Sequence, residues 1–190
     1  MDPPEGFRTD SYLVRPLFVS DAELDHEALM ASKDILRLWE QSTWPEDDFS
    51  VDANRRDIER MAAAQRRGER FTYTVLTPDE GRCLGCIYVM APEMKWLRSA
   101  EPVTVDGTDW VDVDATVSFW IRASELGRGF DRTVLEEMWA WIERDWPFAR
   151  PVVIANETFA QQVETISSAG LRHRLDFRLP GEPGTYHAWS

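Results

Sequence analysis

Apolar and polar positions alternate with a period of two where Val117, Phe119 and Ile121 face Thr116, Ser118 and Arg122, which predicts a strand. Past Leu126-Gly127-Arg128-Gly129 the period lengthens, and Val134, Met138, Trp141 and Ile142 recur at helical spacing. The stretch Asp114–Trp146 thus reads as strand, glycine turn and helix. A helix opening on such a turn leaves backbone N–H groups unpaired. With the positive end of the helix dipole, those donors suit a phosphate.

The same reading covers the rest of the chain. Residues 1–10 form a loose, Pro-rich lead-in, and Tyr12–Val19 a first strand, with Pro16 at an edge. Ser20 and Glu23 match a capping box opening a helix that carries Leu24, Ala28 and Leu29. Asp34–Gln41 and Asp52–Gly68 are two further helices, the second with Ile58 and Met61 on a narrow face. Phe71–Leu76 and Cys83–Met90 flank the turn Thr77–Arg82, a hairpin signal. Residues 91–113 lose all periodicity and read as a long surface excursion. Pro151–Ala155, Leu171–Leu179 and Thr185–Trp189 are strands, and Thr158–Ala169 is a helix. No repeat or linker divides the chain, so residues 1–190 are expected to form one mixed α/β domain around one sheet.

Charge and cysteine content narrow the classes. A formal charge of −13 argues against a nucleic-acid surface, which needs clustered Lys and Arg, and is compatible with a cationic substrate. No apolar run reaches bilayer length, and the first residues lack the pattern of a signal peptide. A cytoplasmic location with no membrane partner follows as the default. Cys83-x-x-Cys86 is half of a zinc pattern without a second half, and residues three apart on a strand should face opposite ways. No metal site is expected.

The strand Ala115–Ile121, the glycine turn, the helix opening Thr133-Val134-Leu135-Glu136 and a following strand ending in Asn156 resemble the GNAT (Gcn5-related N-acetyltransferase) superfamily, over Tyr12 to Trp189. The resemblance implies a mostly antiparallel central sheet flanked by helices and splayed between the family's fourth and fifth strands, Ala115–Ile121 and Pro151–Asn156. It also implies acetyl-CoA as co-substrate and a primary amine of a small molecule or peptide as acceptor, attacked directly. Phe119, Trp120 and Ile121 would meet the cofactor through their main chain, and Asn156 its pantetheine region. Leu126, Gly127, Arg128, Gly129, Phe130, Asp131 and Arg132 would form the pyrophosphate loop. A homodimer through a sheet edge is also known among such proteins.

The loop departs from the family pattern Gln/Arg-x-x-Gly-x-Gly/Ala at Leu126 and Asp131. The tyrosine that many members carry seven residues after the asparagine is Val163 here. Asp131 would set a carboxylate against the pyrophosphate, offset by Arg128 and Arg132. Asp114 is the candidate proton relay, with Tyr186 and His187 behind it. Trp39, Trp44 and Trp96 are candidates for the acceptor pocket, beside Phe49 and the carboxylates Glu46, Asp47 and Asp48, a combination suited to a cationic amine. The rival reading is a catalytically weak or inactive protein of this fold that binds an acyl-CoA or a protein partner.

Overall fold

The computed structural model describes residues 2–91 and 97–190. In chain order the elements are β1 (Phe7–Arg8), β2 (Leu13–Pro16), α1 (Ala22–Met30), α2 (Lys33–Trp39), α3 (Val51–Arg66), β3 (Arg70–Leu76), β4 (Cys83–Met90), β5 (Glu101–Thr104), β6 (Ala115–Ile121), α4 (Phe130–Asp145), β7 (Pro151–Asn156), α5 (Ala160–Ser167), β8 (His173–Arg178) and β9 (Tyr186–Trp189). The strands make one nine-stranded sheet in the order β1-β2-β3-β4-β6-β7-β9-β8-β5. Neighbours pair antiparallel except β6 and β7, which run parallel.

Each face of the sheet is buried by the pattern that predicted it. Val134, Met138, Trp141 and Ile142 of α4 are buried with Val117, Phe119 and Ile121 of β6. Alternation sends Trp120 to the other face, where it packs with Leu29, Leu36, Tyr88 and Met90 under α1 and α2. α3 starts where Ser50 Oγ accepts the Ala53 N–H (3.2 Å), relieving one of the helix's orphan donors.

Three expectations need correction. The lead-in is not loose throughout, because Phe7 and Arg8 pair with Val14 and Leu13. The capping box at Ser20 does not form. Asp21 does that work instead: its carboxylate accepts the Phe18 N–H (2.9 Å) and both Nη groups of Arg15 (2.8 and 2.9 Å). The excursion 91–113 is not featureless either. Its residues 101–104 add an edge strand to β8, Leu97 and Val113 are buried, and Trp110 lies against Phe177 (5.0 Å).

Cys83 and Cys86, expected to face opposite ways, face the same way. Leu84 has no partner on β3, where Val75 pairs with Gly85 and Leu76 with Cys83. This β-bulge switches the alternation, so both thiols face α1 and lie, with Asp25, within 4.8 Å of one another. Cys86 Sγ donates to Asp25 Oδ1 (3.4 Å), and Asn54 Nδ2 donates to Asp25 Oδ2 (2.8 Å). Among the described residues no helix is long and apolar enough to cross a membrane.

Candidate active site

β6 and β7 part company half-way along. Their pairing runs Ala115–Pro151, Thr116–Val152, Val117–Val153 and stops, while β6 stays paired to β4 and β7 to β9 up to Ile121 and Asn156. The result is a V opening at the C-terminal ends of both strands. Arg122 N–H donates to the Leu84 carbonyl (2.8 Å), which fixes the ladder phase. By the alternation of antiparallel pairing, the main chain of Trp120 turns to Cys86 on β4, and the main chains of Phe119 and Ile121 turn into the V. Their N–H groups have no β7 partner there.

The V has different contents on its two faces. Toward α1–α3 it opens into a cavity of about 220 Å³ lined by Trp39, Glu40, Arg70, Tyr88, Ser118 and Tyr186, among others. Toward α4 and α5 only about 10 Å³ remains, between Phe119, Ile121, Leu126, Asp131, Phe159 and Gln162. Gln162 fills that side: its Nε2 donates to the Phe119 carbonyl (2.7 Å), and its buried Oε1 has no partner.

The glycine turn meets the V from the α4 side. Gly127 (φ +73°) and Gly129 (φ +80°) are left-handed, a conformation that costs an L side chain about 1–2 kcal/mol. A Cβ at either would meet nothing within 4 Å, so the turn is open above its backbone. Among the described residues the N–H groups of Gly127, Arg128 and Gly129 have no acceptor, and all three residues are exposed. Phe130 anchors the helix start edge-on to Tyr12 (5.3 Å).

Asp131 does not point into this turn. It is buried against α5, where it accepts Thr165 Oγ1 (2.9 Å) and Gln161 Nε2 (3.2 Å). Arg132 is engaged by Glu136 (2.7 Å) and the Ser168 hydroxyl (3.0 Å), whereas Arg128 is exposed beside the open amides. Because both donors on α5 lose their acceptor, Asp131→Ala is expected to cost about 1–3 kcal/mol. Asp131→Asn, which keeps a carbonyl oxygen, should recover most of it in a urea melt.

The other expected site residues disperse. Asp114 sits at the closed end of β6, and its oxygens accept the Ala149 (2.6 Å) and Arg150 (3.0 Å) N–H groups. Asn156 is at the V, with Nδ2 on the Trp39 carbonyl (2.6 Å) and Oδ1 on the Thr158 N–H (3.0 Å), so it ties β7 to the end of α2. Trp39 lines the cavity. Trp44 packs edge-on to Phe49 (5.6 Å) instead, and Trp96 falls outside the described residues. Asp47 is held by Lys33 and Arg37 on the surface, and the run Glu46–Asp48 contributes no cavity wall. Val163 packs against the α4 core. His187 is drawn with His173 onto Asp176, at 2.6 and 2.7 Å.

The carboxylates of the cavity are Glu40 and Glu182, which no sequence pattern marked. Among the described residues the Glu40 side chain makes no hydrogen bond. Part of its surface is exposed, and it also lines the cavity. Desolvation there raises its pKa, with Arg70 opposing and Glu182 reinforcing the shift. Glu182 accepts the Tyr186 hydroxyl (2.7 Å) and Gln41 Nε2 (3.1 Å). Burial, then Glu182, push the Tyr186 phenol well above its ordinary value, so Tyr186 stays a protonated donor.

No protein-family model and no curated protein matches the chain. Solved structures do. A ribosomal-protein-S5-alanine acetyltransferase from Vibrio fischeri superposes with a TM-score of 0.71 at 13% identity, covering 97% of this chain and 94% of its own. The chain has the GNAT fold. RimL, a ribosomal L7/L12 alpha-N-protein acetyltransferase in complex with coenzyme A, gives 0.69 at 14% identity, with 95% and 93% covered. Mycobacterium smegmatis RimJ in complex with CoA-disulfide gives 0.70 at 15%, with 94% and 80% covered. The splayed strands that the resemblance implied are β6 and β7, and the short β1 and β5 are the two edges of the sheet.

Proposed function

We propose that the protein transfers an acetyl group from acetyl-CoA to a primary amine by direct attack across the V. The observation carrying this reading is that one break in the sheet joins an open-amide turn on one face to an aromatic, carboxylate-bearing cavity on the other. Two of the similar structures hold coenzyme A or its disulfide, which supports the choice of donor.

The residues fit that donor in two respects. The N–H groups of Gly127, Arg128 and Gly129, unpaired among the described residues and at the start of a 16-residue helix, match a diphosphate, and the exposed Arg128 side chain adds a cation. The unpartnered N–H groups of Phe119 and Ile121 can donate to a carbonyl in the V, and also to the oxyanion that develops on it. The Phe119 carbonyl suits an amide N–H once Gln162 leaves it. Acetyl-CoA supplies an activated thioester; the chain supplies orientation, the oxyanion donors and a proton acceptor.

Glu40 is the acceptor for the amine proton. It is the one cavity carboxylate without a hydrogen bond, and a raised pKa brings it closer to the operating pH, where a general base works best. Glu182 already holds two donors and serves to place Tyr186.

Thermal shift with acetyl-CoA followed by a thiol-release assay on a panel of amines tests the proposal. Stabilisation together with amine-dependent thiol release is the expected result. Stabilisation without turnover would favour the inactive, ligand-binding reading, to which the filled α5 side of the V lends weight. No stabilisation would remove both. Gln162→Ala gives up one hydrogen bond worth about 0.5–1.5 kcal/mol net, which coenzyme binding would otherwise have to break. Calorimetry should therefore show coenzyme A bound about threefold to tenfold more tightly by the variant.

A further inference from the structure

Arg70 opens β3 at the wall of the cavity. Its guanidinium lies over the Tyr88 ring, with Cζ 4.4 Å from the centroid. Its Nε is sealed from water and has no hydrogen-bond partner. Among the described residues the whole guanidinium forms no hydrogen bond and no ion pair. Arg122 is the useful contrast. Its Nε is equally unpartnered, but both of its Nη groups hold Glu27. Among the described residues no carboxylate is hydrogen-bonded to Arg70; Glu40 acts on it only through its charge.

An arginine keeps its charge in any protein setting and presents a planar fork matched to carboxylates. A buried donor left unmade costs about 1–3 kcal/mol. Glu40 lines the same cavity and also lacks a hydrogen bond, yet no ion pair joins the two. The cavity therefore offers one cation and one anion that share no ion pair, though their charges act on each other, and its wall includes the Tyr88 and Trp39 rings, 5.6 Å apart. That is the complement of a zwitterion. Its volume, about 220 Å³, is below the roughly 300–1,000 Å³ of drug-sized sites and suits a single residue-sized group.

We infer that the acceptor carries a carboxylate close to its amine, with Arg70 holding the carboxylate and Glu40 facing the amine. The fate of the amine rests on the acetyl-transfer reading above; the carboxylate seat rests on the geometry of Arg70 alone. Two sources share this chemistry: the α-carboxylate of a free amino acid, and an acidic side chain at the N-terminus of a peptide.

Matched acceptors separate these sources. Phenylalanine is compared with phenethylamine, and Asp-Phe-amide with Asn-Phe-amide, in the thiol-release assay with the wild-type chain, Arg70→Met and Arg70→Lys. The expected result is a KM at least tenfold lower for the carboxylate-bearing member of one pair, a gap that closes in Arg70→Met and partly returns in Arg70→Lys. The pair showing the gap identifies the source. A second arm needs no turnover: 3-phenylpropionate, which has the carboxylate but no amine, is titrated into the coenzyme-free protein. Binding to wild type that weakens at least tenfold in Arg70→Met supports the seat, even if no amine is acetylated; in that case it is the acetyl-transfer reading that falls. The inference is overturned if both pairs are used within twofold of each other by wild type, or if 3-phenylpropionate does not bind or binds Arg70→Met equally well. Should Arg70→Met fail to give a cooperative melt, the same comparisons are read on Arg70→Lys, where equal KM and equal binding would overturn it.

Discussion

Glu40→Gln is expected to lower kcat for acetyl transfer by about 100-fold to 10,000-fold, the range associated with a positioned general base. The amide keeps the size of the side chain and its place among Trp39, Arg70 and Tyr88, so KM for acetyl-CoA should move little. The pH dependence carries the sign. A base works when deprotonated, so wild-type kcat/KM should fall as pH drops through the Glu40 pKa, and that inflection should lie above the ordinary 4.5 of a glutamate because desolvation raises it. The variant should lose the inflection along with the rate. Stability should move the other way. A carboxyl whose folded pKa is raised penalises the folded state once pH exceeds its unfolded pKa, so at neutral pH Glu40→Gln should melt at the wild-type temperature or above it. Glu182→Gln serves as the comparison, since its carboxylate already accepts from Tyr186 and Gln41. A smaller rate loss is expected, with a lower Tm. A Glu40→Gln enzyme within threefold of wild type would move the base elsewhere.

Gly85→Ala is expected to cost roughly 2–6 kcal/mol, combining a strained backbone with overpacking, a large share of the 5–15 kcal/mol typical of a domain. Gly85 has φ +156°, and a Cβ there would stand 2.2 Å from the carbonyl oxygen of Trp120 on the neighbouring strand. The obstacle is backbone rather than a flexible side chain, so relief requires β4 and β6 to separate. The same bulge turns Cys83 and Cys86 toward α1 and sits next to the Arg122–Leu84 bond that phases β6. Urea denaturation of Gly85→Ala against Gly127→Ala makes the comparison. Gly127 is also left-handed but has open space around it, so only the conformational cost of about 1–2 kcal/mol should appear. Equal losses for the two variants would show that the close approach at Gly85 is not what requires a glycine there.

The two positions differ in how far the sequence announces them. The turn at Gly127–Gly129 is visible in the chain, because a period-two pattern gives way to a helical one across paired glycines. Gly85 lies inside a predicted strand, and only the pairing of β4 with both neighbours shows that it ends a bulge. Asp131 shows the same limit. Its place in the first turn of α4 is plain from sequence, yet its direction depends on Thr165 and Gln161 of α5, which local spacing cannot bring to it.

By itself the sequence determined the order of strands and helices, apart from the edge strands β1 and β5, and the buried stripe of α4, because periodicity is a local property that burial then enforces. It also determined the open amides at the helix start, which follow from a glycine turn running into a helix. The tertiary structure alone decided what occupies the V. Glu40 from the end of α2, Arg70 from the start of β3 and Glu182 from the turn before β9 meet only because sheet order places β3, β4, β6, β7 and β9 side by side. None of the three lies on a periodic face that a sequence pattern could mark. Their meeting in one recess is a product of long-range packing, and the proposed chemistry depends on it.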